Sequence, residues 1–120
     1  MSILLSQDTF EAIPSPCFVL EEEKLRRNLK QIDLVQKNAK INVILALKGF
    51  AMWSSFPLVK SFLKSATASS MNEAKLCVEK FNALAHTYAV GYRDDEFDEL
   101  MTLSSHVTFN SLNQFYKFQD

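Results

Sequence analysis

A single lysine, Lys48, closes the apolar run Val43–Leu47 in the stretch "NVILALKGFAMWSSFPL", residues 42–58. A cation in that place has two readings. It can extend outward as a solvated or ion-paired charge, the ordinary fate of a lysine. Alternatively, desolvation disfavours the charged form and leaves a nucleophilic amine able to form a Schiff base with a carbonyl compound, pyridoxal phosphate among them. No acid lies close in sequence to pair with Lys48, which favours the second reading.

The other reactive residue types form weaker patterns. Ser70 and Glu73, in "SMNE", have the spacing of a capping box, in which side chains satisfy the free amides of a helix start. Ser111 and Gln114, in "SLNQ", have the same spacing. Cys17 and Cys77 lack the spacing of a disulfide framework or zinc site and read as buried reduced thiols. The two glycines, Gly49 and Gly91, make no phosphate-binding loop, and no nucleophile-elbow or zinc-protease motif occurs.

Composition sets the frame for these residues. Of 120 residues, 48% are hydrophobic and 22% charged, enough to bury a core. Thirteen Lys and Arg against fourteen Asp and Glu leave a net charge of -1, so no global attraction to nucleic acid or an anionic membrane is expected. Lys24, Arg26, Arg27 and Lys30 follow Glu21, Glu22 and Glu23 and read as a solvated helix face. The start of the chain lacks the charge and apolar length of a secretory signal, and no segment has the length of a membrane span. The cytoplasm is the default compartment.

The elements that must position Lys48 follow from periodicity. "CFVL" (17–20) reads as a short strand entering a helix over about 21–38, whose apolar stripe is Leu25, Leu29, Ile32 and Val35. Strand-like runs then begin near residues 42, 66, 86 and 106, each followed by an amphipathic helical pattern. Helix starts are signalled by Ser55 before Phe56-Pro57, by Ser70, by Asp94 and by Ser111. Alternating strands and helices predict an α/β fold with a parallel sheet. Four such units make about half of a closed eight-unit barrel of roughly 250 residues. An open four-stranded sheet satisfies the same pattern.

In either architecture ligands gather at the carboxyl ends of the strands. Lys48, Ser69, Ser70, Gly91, Tyr92, Asn110 and Ser111 fall on that rim. His86 and His106 open their strands and are expected at the opposite end, with structural roles.

The strings "ALKGFAMWSSFPL", "TASSMNEAKL" and "FNSLNQF", with "IPSPCFVLEEEKLRRNL" before them, resemble the carboxynorspermidine (carboxyspermidine) decarboxylase family. This is a branch of the alanine racemase-like, fold type III pyridoxal phosphate enzymes, and the resemblance runs from about Ile13 to near the end. The tryptophan-bearing segment after Lys48 is its most specific part.

The resemblance implies that Lys48 carries pyridoxal 5'-phosphate as a Schiff base, that Ala46 lines the pocket beneath the cofactor ring, and that Ser70 belongs to the cofactor site. It places Glu73 where related decarboxylases carry an acid near the Schiff base, although the capping box explains Ser70 and Glu73 without catalysis. Met52, Trp53 and Phe56 either shape the pocket wall or pack the core. The implied reaction turns carboxynorspermidine or carboxyspermidine into norspermidine or spermidine and carbon dioxide, in a homodimer. The implied fold is the amino-terminal half of a TIM-like (β/α)8 barrel, with residues 1–15 a leading segment and 16–120 a partial cofactor-binding barrel domain. The family is roughly three times this length, so the second half of the barrel and a β-rich domain are expected to be absent. The chain alone is then expected to be an inactive fragment with an uncovered sheet edge and inner face. Two alternatives stand beside this reading: a non-catalytic pyridoxal phosphate-binding protein of the same fold type, and a cofactor-free α/β interaction module.

Overall fold

The computed structural model describes residues 6–119. Its first element, α1 (Gln7–Glu11), begins where Ser6 Oγ accepts the N–H of Thr9 at 3.2 Å, a helix that periodicity alone does not predict. The expected strand at 17–20 does not form. Phe18 is 97% exposed, and among the described residues no strand lies beside "CFVL" to take up its backbone hydrogen bonds. Cys17 is likewise exposed rather than buried, and Cys77 alone is the core thiol.

Helix α2 (Glu22–Ala39) has Glu22 and Glu23 in its first turn, where acids suit the positive end of the helix dipole. It stops at Lys40, a left-handed residue whose N–H donates to Gln36 O. Leu29 is buried and Leu25 and Ile32 pack beside it, but Val35 is 53% exposed. Gln36 takes the inward place. Its Oε1 accepts the N–H of Val43 at 2.8 Å and its Nε2 donates to Phe62 O at 3.3 Å. The basic cluster is the expected solvated face, with Arg26 paired to Glu22 at 2.7 Å and Lys24 to Glu21.

Four strand and helix units follow: β1 (Leu45–Ala46) with α3 (Phe56–Lys60), β2 (Ala66–Ala68) with α4 (Met71–Leu76), β3 (Ala85–Tyr88) with α5 (Phe97–Thr102), and β4 (Ser104–Thr108) with α6 (Leu112–Lys117). Helix α4 continues through a π-helical turn, Cys77–Phe81. Strand β1 is shorter than the run "NVILAL": at its start the Val43 N–H goes to the Gln36 side chain, and at its end the chain turns at Leu47. Helix α5 begins at Phe97, not at Asp94. No side chain caps it, and Asp94 pairs with Lys117 instead. Ser55 donates to Met52 O rather than capping α3. Ser70 and Ser111 cap α4 and α6 as expected.

All neighbouring strands are parallel, in the order β1-β2-β3-β4. A doubly wound sheet reverses its strand order at a switch point. Sequential order does not, and right-handed crossovers then put every helix on one face. Strand order therefore decides what periodicity left open, and the sheet is one side of a barrel wall.

Its two faces differ accordingly. Ala66, Ala68, Ala85 and Thr87 are buried toward the helices, against Leu29, Phe56, Val59, Leu63, Ala74, Cys77 and Phe81. The alanines let the helices approach, and Phe56 meets Phe81 edge-on at 5.3 Å. Truncating Phe56, 1% exposed, to alanine would cost about 3–5 kcal/mol. On the opposite face, Ala46, Thr67, His86 and His106 stand in one row by register, and Tyr88 beyond them is 44% exposed.

Candidate active site

The turn that carries Lys48 is built on one carbonyl. The N–H groups of Gly49 and Phe50 both donate to Ala46 O, at 2.9 and 3.1 Å, which ends β1 and folds the chain back. Leu47 anchors the turn in the core and its N–H donates to Thr67 O of β2 at 3.3 Å. With Leu47 turned inward, Lys48 is exposed at the carboxyl end of the sheet. None of the ion pairs among the described residues includes it. Lys48 is thus solvated here, the first of the two readings, and desolvation does not activate its amine in this chain; what its position on a held turn does provide is access for an aldehyde from the rim. Ala46, two residues earlier, is exposed on the open face.

Strand pairing sets the second group beside the first. Ala46 pairs with Thr67, so the loop after β2, Ser69 and Ser70, lies next to the Lys48 turn. Ser70 Oγ accepts the N–H of Glu73 at 3.2 Å, and Glu73 Oε2 accepts the N–H of Ser69 at 2.7 Å. Glu73 reaches the residue before the cap rather than the cap itself, so it ties the loop down one residue further than the usual capping box. It makes no bond to Lys48. The reading of Ser70 and Glu73 as a cap is thus sufficient to explain one carboxylate oxygen and the serine lone pair, and leaves Glu73 Oε1 and the serine hydroxyl hydrogen for other partners.

The far half of the rim is held more tightly. Tyr92 O–H donates to Thr108 O at 2.7 Å and accepts the N–H of Ala89 at 3.2 Å, joining the ends of β3 and β4. Burial pushes the Tyr92 phenol up, and the Ala89 amide partly opposes it. Asn110 Nδ2 donates to Val90 O at 2.6 Å, which fixes the loop after β3 to the loop after β4. A cleft of about 170 Å³, lined by Ser69, Ser70, Gly91, Tyr92 and Arg93 among others, opens between the ends of β2 and β3. That is smaller than the roughly 300–1,000 Å³ of a typical ligand pocket. The described residues form one wall of a site.

Of Met52, Trp53 and Phe56, only Phe56 takes the core role. Phe56 is core, Met52 is half-buried, and Trp53 is 61% exposed. The histidines do not lie at the far end of the strands. His86 and His106 are register partners level with Ala46, because the irregular register between Ala85 and His86 brings His106 beside His86. Register places Thr67 in that row, and nothing local in the sequence could have stacked the two histidines, whose sequence separation is twenty residues.

Against solved structures, the chain superimposes with a TM-score of 0.85 and 42% identity on carboxynorspermidine decarboxylase from Campylobacter jejuni, crystallised with norspermidine, over 89% of this chain and 29% of that one. The chain is homologous to the amino-terminal portion of the carboxynorspermidine/carboxyspermidine decarboxylases. Curated relatives agree. A carboxyaminopropylagmatine decarboxylase from Synechocystis is 45% identical over 117 residues, 98% of this chain and 30% of the relative. Carboxynorspermidine/carboxyspermidine decarboxylases from Campylobacter jejuni and Herminiimonas arsenicoxydans are 42% and 39% identical over 92% and 88% of this chain, and 29% of each relative. The chain thus spans about 30% of the length of the decarboxylases it matches. No family model matches it. Among the described residues no helix is long and apolar enough to cross a membrane, and no group of three or more His, Cys, Asp or Glu gathers as for a metal ion.

Proposed function

We propose that the chain contributes the amino-terminal side of the barrel, residues 16–120 after a leading segment 1–15, to a pyridoxal 5'-phosphate-dependent decarboxylase acting on a carboxylated polyamine. Carboxynorspermidine and carboxyspermidine are the substrates the family names suggest, and a homodimer is the expected assembly. The observation that carries the reading is Lys48, an exposed amine on a rigid turn at the ligand-bearing end of a parallel sheet, without an ion pair among the described residues.

The residues present fit the aldehyde end of that cofactor. Lys48 would hold it covalently through its amine, Ala46 offers a small side chain beneath it, and the Ser70 hydroxyl is a donor at the neighbouring strand end. Bound there, pyridoxal phosphate supplies an electron sink for the pair left when the substrate loses carbon dioxide. In the net reaction the bond between the α-carbon and the carboxylate breaks and a proton replaces the carboxylate on that carbon. The Lys48 amine would also be a group on the rim able to hold and return a proton. Glu73, tied by one oxygen to Ser69, keeps its other oxygen for a proton or a cationic group at the rim.

A guanidino-tailed substrate is a second reading, favoured by the Synechocystis relative, which is named for carboxyaminopropylagmatine and shares 45% identity with this chain. Borohydride reduction in the presence of pyridoxal phosphate, followed by peptide mass mapping, tests the cofactor assignment. A single adduct on Lys48 is expected. Adducts spread evenly over the lysines, or unchanged labelling in Lys48→Ala, would overturn it.

A further inference from the structure

The chain contains two histidines, and the sheet register places them side by side. Their rings stack with centroids 4.3 Å apart and planes 22° from parallel, on the face of the sheet that carries no helix. Ser105, the residue of the irregular register, orients one of them. Its hydroxyl donates to Ala85 O at 3.1 Å, and His106 Nδ1 lies 3.1 Å from Ser105 Oγ. With the hydroxyl hydrogen committed to Ala85, the ring nitrogen must be the donor. Neutral His106 is therefore assigned the Nδ1–H tautomer, and its Nε2 is the atom open to a proton.

The surroundings offer a second proton no stabilising partner. Among the described residues, the titratable side chains at strand and strand-end positions of this face are Lys48 beyond β1, His86 and Tyr88 on β3, and His106 on β4. Strand β2 contributes Thr67, and there is no carboxylate. Burial, and then the neighbouring His106, hold His86 below its ordinary value.

We propose that the His86–His106 stack is a proton-sensitive joint between β3 and β4, which fastens the two strands while both rings are neutral and accepts one proton before the rings must part. His106 Nε2 is the ring nitrogen that the geometry leaves free for a proton. A second, on half-buried His86, would set like charges face to face, with the His106 ring exposed beside it. Because the folded state binds the His86 proton less tightly than the unfolded chain does, this stabilisation is complete above the ordinary imidazole value of about 6.5 and is lost as pH falls through that range. The joint is level with Ala46 and one row inward from the Tyr92 bond to Thr108, so loosening it reaches the rim. The inference rests on the stack and not on the cofactor reading.

The two ring signals make the test direct. Histidine Cε1–H resonances of the chain are followed by NMR from about pH 8 to about pH 5, beside the urea midpoint over the same range. Two separated steps are expected, with His86 the lower and the urea midpoint falling as pH drops. His86→Gln and His106→Gln should each leave one simple titration, and the double substitution should abolish most of the fall in midpoint below pH about 6.5. Two independent curves at the ordinary imidazole value in the unsubstituted chain would overturn the proposal, and so would a double variant with the original pH dependence. The titration of the unsubstituted chain decides the matter even where a variant fails to fold.

Discussion

Glu73 and Gln114 perform the same structural task at the starts of two helices, one with a charge and one without. In "SSMNE" (69–73) the Glu73 side chain accepts the Ser69 N–H at 2.7 Å while its own N–H donates to Ser70. In "NSLNQ" (110–114) the Gln114 side chain accepts the Asn110 N–H at 3.2 Å while its own N–H donates to Ser111. A neutral amide therefore suffices for the cap, and the charge at Glu73 is surplus to folding.

Glu73→Gln should accordingly leave the urea midpoint nearly unchanged, within about 0.5 kcal/mol, whereas Ser70→Ala should cost about 1 kcal/mol by removing the cap acceptor. If Glu73 serves the reaction, Glu73→Gln in the active protein lowers turnover with no loss of stability. Equal destabilisation by both substitutions would show that the charge is needed for the cap.

Lys48→Ala should be almost neutral for folding, within about 0.5 kcal/mol, since the side chain is exposed and without an ion pair among the described residues. The same change should abolish the absorption band of bound pyridoxal phosphate. Circular dichroism and absorbance on one sample separate the two effects.

Thr87 and Ser104 form a buried relay whose two ends are not equivalent. Ser104 O–H donates to Leu100 O at 2.7 Å, so the Thr87 hydroxyl, 2.7 Å from Ser104 Oγ, is the donor between them. Thr87→Val removes a donor and fills the same space, at a cost of about 1 kcal/mol. Ser104→Ala leaves the buried Thr87 hydroxyl without that partner and should cost more, about 2–3 kcal/mol. Denaturant midpoints for the two variants check the order.

The two cysteines should react at very different rates. Cys17 is exposed, and Cys77 is buried in the core, where desolvation pushes its thiol up and Lys60 partly opposes the shift. Iodoacetamide near pH 8 should label Cys17 promptly and Cys77 only on unfolding. The folded state holds the Cys77 proton more tightly than the unfolded chain, so this contribution is present below the ordinary thiol range and is lost as pH rises through it. Mass spectrometry of the labelled peptides reads both rates.

Local patterns made much of the framework legible. The strand and helix alternation, the caps at Ser70 and Ser111, and the place of Lys48 after an apolar strand all depend on contacts a few residues apart. The failures came where a distant partner decides. "CFVL" has β-forming residues, but without a neighbouring strand among the described residues its amides gain nothing from extended pairing. Val35 continued the apolar period of α2, yet Gln36 turned inward because Val43 and Phe62 offered its amide two backbone partners.

The α/β class, the repeating unit, the lysine at a strand end and the family likeness were all readable in the residues, because periodicity and short motifs are encoded within each unit. Long-range packing alone fixed the sequential order of the strands and the stack of His86 on His106 on the open face. The stack depends on strand register, and a slip of one residue would have sent one of the two rings to the other side of the sheet.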